Sequence, residues 1–258
     1  MQVIAVESAV RDHARDGKAV LEAGRHLHLE KAPADRYPDF EEIVKLAAEK
    51  NRLLQVGYMW RYHPGIAKAL EAARQGWLGH VYLLKAVIGN QLPAKRRPEW
   101  GEFAGGVMFE LGCHVIDPMV RLMGKPQKVT PILQTASGSH DSFRDNTLAT
   151  LEWDHVIGVV QATSVQHDSS RSRCFEIHGT NGSTVVNPIE PPKMTVNLAK
   201  AAGPYQAGAQ QIAMPEYTRF VDDFAELAAA IRGTGKLRVT PQEDLLVEDA
   251  VLRCSGMA

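Results

Sequence analysis

Residues 25–57, RHLHLEKAPADRYPDFEEIVKLAAEKNRLLQVG, read as strand, helix and strand in succession. The first six residues, Arg25 to Glu30, alternate enough for a strand. Phe40, Ile43, Val44 and Ala47 then recur at i, i+3, i+4 and i+7, one face of a helix. Asp39, with Glu42 three residues later, has capping-box spacing at its start. Leu53-Leu54-Gln55-Val56-Gly57 returns as a strand. Upstream, Val3-Ile4-Ala5-Val6 is a short, fully apolar strand of the kind buried in parallel sheets, and a helix over 10–23 ends at Gly24. Strands alternating with helices predict a parallel βαβ sheet.

Beyond Gly57 the rhythm changes. A helix near 65–74 stops at Gly76, a strand covers 81–88, and a helix over 106–123 closes at Gly124. Strands at 148–153 and 156–163 flank Asp154-His155. Strands at 174–178 and 183–186 flank Thr180-Asn181-Gly182, where Asn-Gly supplies the positive φ of a tight turn. Helices near 216–232 and 241–254 finish the chain. Successive hairpins predict a largely antiparallel sheet, with the change of character near residues 58–62.

The composition is that of an ordinary globular protein: 258 residues, 45% hydrophobic, 23% charged and a formal net charge of -1. A sequence pI near 6.8 gives no basic bias toward nucleic acid. No apolar run approaches the roughly 20 residues of a membrane span. Cys113, Cys174 and Cys254 have neither disulfide-framework nor zinc-ligand spacing. The expected partner is a small molecule or a second copy of the chain, and the expected setting is the cytoplasm.

Three stretches carry residues able to do chemistry. Glu30-Lys31 ends a predicted strand, and open α/β sheets bind ligands outside the carboxyl ends of their strands; taken alone, the pair also reads as a solvated ion pair. In Gly105-Gly106-Val107-Met108-Phe109-Glu110-Leu111-Gly112-Cys113-His114-Val115-Ile116-Asp117, helical spacing puts Glu110 and His114 on one face, with Asp117 three residues further on. A carboxylate beside an imidazole suits it to general-base work; an ordinary surface pair has the same spacing. The two glycines allow close approach to a ligand or another backbone. A metal site from Glu110, His114 and Asp117 lacks a fourth ligand. Gly57-Tyr58-Met59-Trp60-Arg61-Tyr62-His63-Pro64 is an aromatic and cationic patch that reads equally as interdomain packing or ligand contact.

Together these stretches resemble the Gfo/Idh/MocA oxidoreductases (glucose–fructose oxidoreductase, inositol dehydrogenase and rhizopine-catabolism dehydrogenases). Residues 21–31 are similar to an L-x-A-G-K-H…E-K-P element, 57–64 to G-x-x-x-R-x-x-P, and 105–117 to G-G-x-L-x-D-x-G-x-H-x-x-D. The Gly179-Thr180-Asn181-Gly182 turn and the Phe220-Val221-Asp222-Asp223-Phe224 helix resemble later features. The resemblance implies an α/β chain in which an incomplete Rossmann-type parallel sheet is followed by an α+β domain with a large, mostly antiparallel open sheet. Residues 1–60 would be the C-terminal remnant of the NAD(P)-binding domain, and 61–258 the substrate-binding and oligomerisation domain.

It further implies hydride transfer between NAD or NADP and a sugar, polyol or inositol-like substrate, with homo-oligomers formed through the C-terminal sheet. Lys31, His114 and Glu110 would be catalytic; Glu30, Lys31 and Arg61 would contact the cofactor; Met59, Trp60 and His114 would contact substrate; no metal is implied. Three positions depart from the pattern. Pro33 stands one place later than in E-K-P, Glu110 stands for aspartate, and no G-x-G-x-x-G follows the first strand, so the phosphate-binding loop is expected to be missing from a truncated sequence. A non-catalytic dimerisation or sugar-binding module is the alternative reading.

Overall fold

The computed structural model describes residues 2–258. Strands β1 (Val3–Val6), β2 (His26–Leu29) and β3 (Leu54–Val56), joined by helices α1 (Val10–Glu22) and α2 (Tyr37–Glu49), form a parallel sheet in the order β1-β2-β3. Gly24 takes φ +69° just past α1, a left-handed closure that favours glycine. Helix α2 starts earlier than its expected cap. Asp39 lies inside the first turn, and Arg36 occupies the cap position without a side-chain bond. Pro38, with its fixed φ and missing N–H, is at home in that first turn and shifts the start upstream. Phe40 and Ile43 are fully buried on the inner face, each worth roughly 1.5–3 kcal/mol of burial.

A short 3-10 turn, Met59–Tyr62, leads into α3 (Pro64–Arg74), β4 (Val81–Gly89) and the one-turn helix α4 (Arg97–Trp100). A π-helical turn, Met108–Gly112, then runs into α5 (Cys113–Met123). The rest is β5 (Lys128–Gln134), β6 (Asn146–Trp153), β7 (Val156–Thr163), α6 (Ser169–Ser172), β8 (Cys174–Gly179), β9 (Gly182–Val186), β10 (Met194–Leu198), β11 (Gly208–Ile212), α7 (Asp222–Ile231) and α8 (Pro241–Cys254). The second sheet has the order β11-β10-β9-β8-β4-β7-β6-β5. Its neighbours are antiparallel except the parallel pair β4–β7, as the hairpin pattern predicts.

Side chains on this sheet alternate by the period of two. Thr147, Ala149 and Leu151 of β6, with Val156, Val160 and Ala162 of β7, are buried on the face that meets α5 and α8. The opposite face leaves Ile132 and Ile157 about half exposed. Helix α8 packs on α2 and β3 of the small sheet and on α5, β5 and β6 of the large one. Its start is a true capping box: Glu243 N donates to Thr240 Oγ1, and Thr240 N donates to Glu243 Oε2.

Candidate active site

Lys31 lies two residues beyond β2, so the parallel sheet delivers it at a carboxyl end. Its side chain crosses to the π-helical turn ahead of α5. Nζ donates to the Glu110 carbonyl at 2.9 Å and to Glu110 Oε2 at 3.1 Å, and the two side chains are only 14% and 16% exposed. Burial works against the Lys31 charge, but the Glu110 carboxylate and its hydrogen bond, with Glu30, hold the ammonium above its ordinary range. An ammonium has three donors. Two are met by Glu110, and the third has no partner among the described residues.

The π turn explains why Glu110 serves Lys31 and not His114. An α-helix would stack residues 110 and 114, but the wider turn breaks that spacing. The Glu110 carbonyl accepts both Lys31 Nζ and the Cys113 thiol. Among the described residues no hydrogen bond joins Glu110 to His114, which corrects the expected carboxylate–imidazole pair. Asp117 turns to Arg61 and Arg121, so Glu110, His114 and Asp117 do not converge. No group of three or more His, Cys, Asp or Glu able to hold a metal ion occurs among the described residues.

His114 is 6% exposed, its ring 5.5 Å from the Trp60 ring and 6.4 Å from Tyr58. Its Nδ1 is buried with no partner among the described residues, which leaves Nε2 as the nitrogen with access to open space. Burial, followed by Lys31, Arg219 and Arg173, holds the imidazole well below its usual range. These surroundings favour the neutral imidazole, the form that can accept a proton.

Glu30 is half-buried, and its carboxyl is pushed up to about 7 by burial, with Lys31 opposing. Gly57 makes room for it: a Cβ there would lie 2.7 Å from Glu30 Oε2 and 3.3 Å from Glu30 Cα. Gly106, in contrast, takes φ +50° against the Arg144 backbone, whose carbonyl accepts Val107 N at 2.9 Å. Of the two partners the glycine pair allows, it therefore meets a backbone.

Arg61, expected at the cofactor, is committed elsewhere. Its side chain is 2% exposed, with Nε and Nη2 donating to Asp117 Oδ1 at 2.9 and 2.7 Å and Nη2 to Asp244 Oδ1 at 2.5 Å. Its guanidinium also lies 4.7 Å over the Tyr58 ring. With its fork filled by two carboxylates it is a structural cation beneath the aromatic wall. Met59 is 9% exposed within the core, and its carbonyl accepts from Tyr217 Oη at 2.8 Å. Met59 thus reaches a ligand less readily than expected, while Trp60 remains against His114.

Several residues escaped the sequence reading. His13 of α1 sits with Nδ1 2.8 Å from the Ala32 carbonyl and Nε2 2.9 Å from that of Ser8, bracing the loop after Lys31, whose Lys31–Ala32 peptide is cis. Burial pushes this imidazole down, and the two carbonyls oppose. Arg173 and Arg219 act on His114 from loops with no periodicity to read, and Glu190 pairs with Arg219. Asn90 Oδ1, Ser164 Oγ and Gln166 Oε1, just past the ends of β4 and β7, are buried without partners among the described residues.

Residues 66–185 match the GFO/IDH/MocA C-terminal domain family. Levoglucosan dehydrogenase of Pseudarthrobacter phenanthrenivorans is 26% identical over 204 residues, 68% of this chain and 52% of that protein. The scyllo-inositol 2-dehydrogenase (NADP(+)) of Bacillus subtilis is 23% identical over 176 residues, 67% of this chain and 48% of that one. The chain thus spans about half the length of these curated relatives. A solved levoglucosan dehydrogenase in complex with NADH and levoglucosan superposes with a TM-score of 0.83 at 20% identity, covering 99% of this chain and 78% of that one. At that identity it is the fold that is shared.

Proposed function

Because the chain belongs to the Gfo/Idh/MocA family of oxidoreductases, we propose that it carries the proton-handling half of a dehydrogenase moving hydride between NAD or NADP and a carbinol of a sugar or polyol. The observation that carries this reading is the third, unused donor of Lys31 beside a neutral His114. The residues present fit the nicotinamide end of such a cofactor: a fixed cation at a strand's carboxyl end, Glu30 next to it, and an imidazole with an orphaned buried Nδ1. When bound, the nicotinamide supplies the hydride acceptor or donor.

The chain's own residues do the rest. In the oxidation direction the substrate hydroxyl donates to His114 Nε2 and passes it the proton. The Lys31 ammonium donates its free N–H to the same oxygen and stabilises negative charge developing there. Glu110 fixes the aim of Lys31 through two acceptors. Trp60 closes one side of the imidazole, and Met59 supports it from the core. Arg61 acts at a distance, holding the Tyr58–Trp60 wall through Asp117 and Asp244. Asn90, Ser164 and Gln166 offer hydrogen bonds that suit a polyhydroxylated substrate. The sheet face with Ile132 and Ile157 is the surface on which a second copy would pack. Three unpaired cysteines fit a reducing cytoplasm.

The test uses protein expressed from the complete reading frame. Calorimetry should detect NADH or NADPH, and a panel of sugars and polyols should give turnover. His114→Asn and Lys31→Met should each lower kcat by about 10²–10⁴, with unchanged circular dichroism. If neither nicotinamide binds, or both variants turn over like the parent, the reading fails.

A further inference from the structure

The surroundings of His114 are more positive than a neutral sugar requires, since Lys31, Arg219 and Arg173 all act on it. Two tethers place the groups responsible. Tyr217 Oη donates to the Met59 carbonyl at 2.8 Å, and His63 Nε2 donates to the Ile189 carbonyl at 2.6 Å while its Nδ1 accepts from Ile66 N. Residues 217–219 and 189–190 are thereby held against the 59–63 stretch whose Trp60 ring lies tilted against His114. Arg173, immediately before β8, donates Nε to the Gly89 carbonyl at 3.0 Å, at the end of β4. That end also carries the unpartnered Asn90, Ser164 and Gln166.

The charges here do not balance. Glu190 gives both its oxygens to Arg219, and its approach to Arg173 is 3.8 Å. Arg173, only 20% exposed, uses one of five donors in a hydrogen bond. Burial lowers it, with Glu190 opposing and Arg219 adding to the effect. Lys31, Arg219 and Arg173 all act on His114, while Glu110 serves Lys31, Glu190 serves Arg219, and Glu30, pushed up to about 7, lies next to Lys31. Most of the Arg173 fork is unmatched by protein groups and stays open to solvent, or to the anionic oxygens of a ligand.

We infer that the substrate is an anionic carbohydrate, a sugar acid or sugar phosphate, whose anionic oxygens dock on the open fork of Arg173 beside His114. Paired oxygens match a planar guanidinium bidentately, while the orphaned amide and hydroxyl groups take the sugar hydroxyls. The arriving charge also offsets the cations around His114 and raises its basicity when the proton must be accepted. Arg219, already paired with Glu190, fixes the loop and reads no charge.

The inference rests on the dehydrogenase reading and is tested so that the two can fail separately. Nicotinamide-loaded protein from the complete reading frame is assayed with glucuronate, gluconate, glucose 6-phosphate and the neutral controls glucose and sorbitol. At least one anionic probe should exceed every neutral one in kcat/KM by about tenfold or more, and the acid and phosphate arms identify the source of the charge. Arg173→Gln should erase that preference mainly through KM, cost the anionic probe at least about tenfold more in kcat/KM than it costs the neutral controls, and be partly rescued by Arg173→Lys. Better turnover of neutral sugars, or equal losses on both classes in Arg173→Gln, overturns the inference and leaves the dehydrogenase intact. Absence of nicotinamide binding removes the dehydrogenase reading and the inference with it.

Discussion

Replacing Arg61 by methionine separates a structural cation from a cofactor ligand. The side chain is 2% exposed and makes three contacts of 2.5–2.9 Å with Asp117 and Asp244. Charge-assisted hydrogen bonds contribute about 1.5–3 kcal/mol each, but their sum overstates the loss. Asp117 keeps Arg121 at 3.7 Å, and Asp244 can take up a proton. Breaking a buried pair from one side costs about 3–5 kcal/mol, and Arg61→Met should fall in that range. The midpoint of urea unfolding should drop at unchanged slope.

The deficit should also depend on pH. Burial already raises the Asp244 carboxyl, with Arg61 opposing; without Arg61 it rises further. A folded carboxyl raised above its unfolded value binds an extra proton, so stability is lost as pH rises through that window. The deficit should therefore be larger at pH 8 than at pH 5. A deficit under about 1 kcal/mol, accompanied by weaker nicotinamide binding, would show that Arg61 serves the ligand and refute the buried-triad account.

The remaining expectations concern single positions. Glu30, ordinarily near 4.5 and about 7 in the fold, should make the protein lose stability as pH rises from 4.5 to 7; Glu30→Gln should flatten that slope and be the more stable form at pH 8, read from urea midpoints across the range. Gly57→Ala forces a Cβ to 2.7 Å from Glu30 Oε2 and should cost about 1–3 kcal/mol, with weakened nicotinamide binding by calorimetry. Thr240→Ala removes the capping box of α8 and should cost about 1 kcal/mol in thermal unfolding, with kcat unchanged.

The architecture was legible where local chemistry decides it. The face of Phe40, Ile43, Val44 and Ala47 is buried as read, and Gly24, Gly76 and Gly124 sit at positive φ past the ends of their helices. β5, β10 and β11 were not read, because Pro131 interrupts the first and the other two are rich in Thr, Asn and Gln, with weak alternation. Lys31 and His114 could be found from a strand end and a helix motif. Their partners could not. Arg61 meets Asp244 across 183 positions, and no spacing rule spans that distance. Glu110 was given to His114 because helical spacing assumes an unbroken α-helix, an assumption the segment does not meet.

That segment sets the phase of the site. Met108–Gly112 holds one residue more than an α-helical turn accommodates. Deleting one residue there would rotate everything on its N-terminal side by about 100° around the axis, while the His114 helix kept its seat on the sheet. Lys31 would lose both acceptors although every side chain in contact with it was still encoded. Between related chains, a single insertion or deletion inside this window therefore weighs more than many substitutions around it. Two sequences can share the lysine and the histidine and still differ in whether the lysine is aimed.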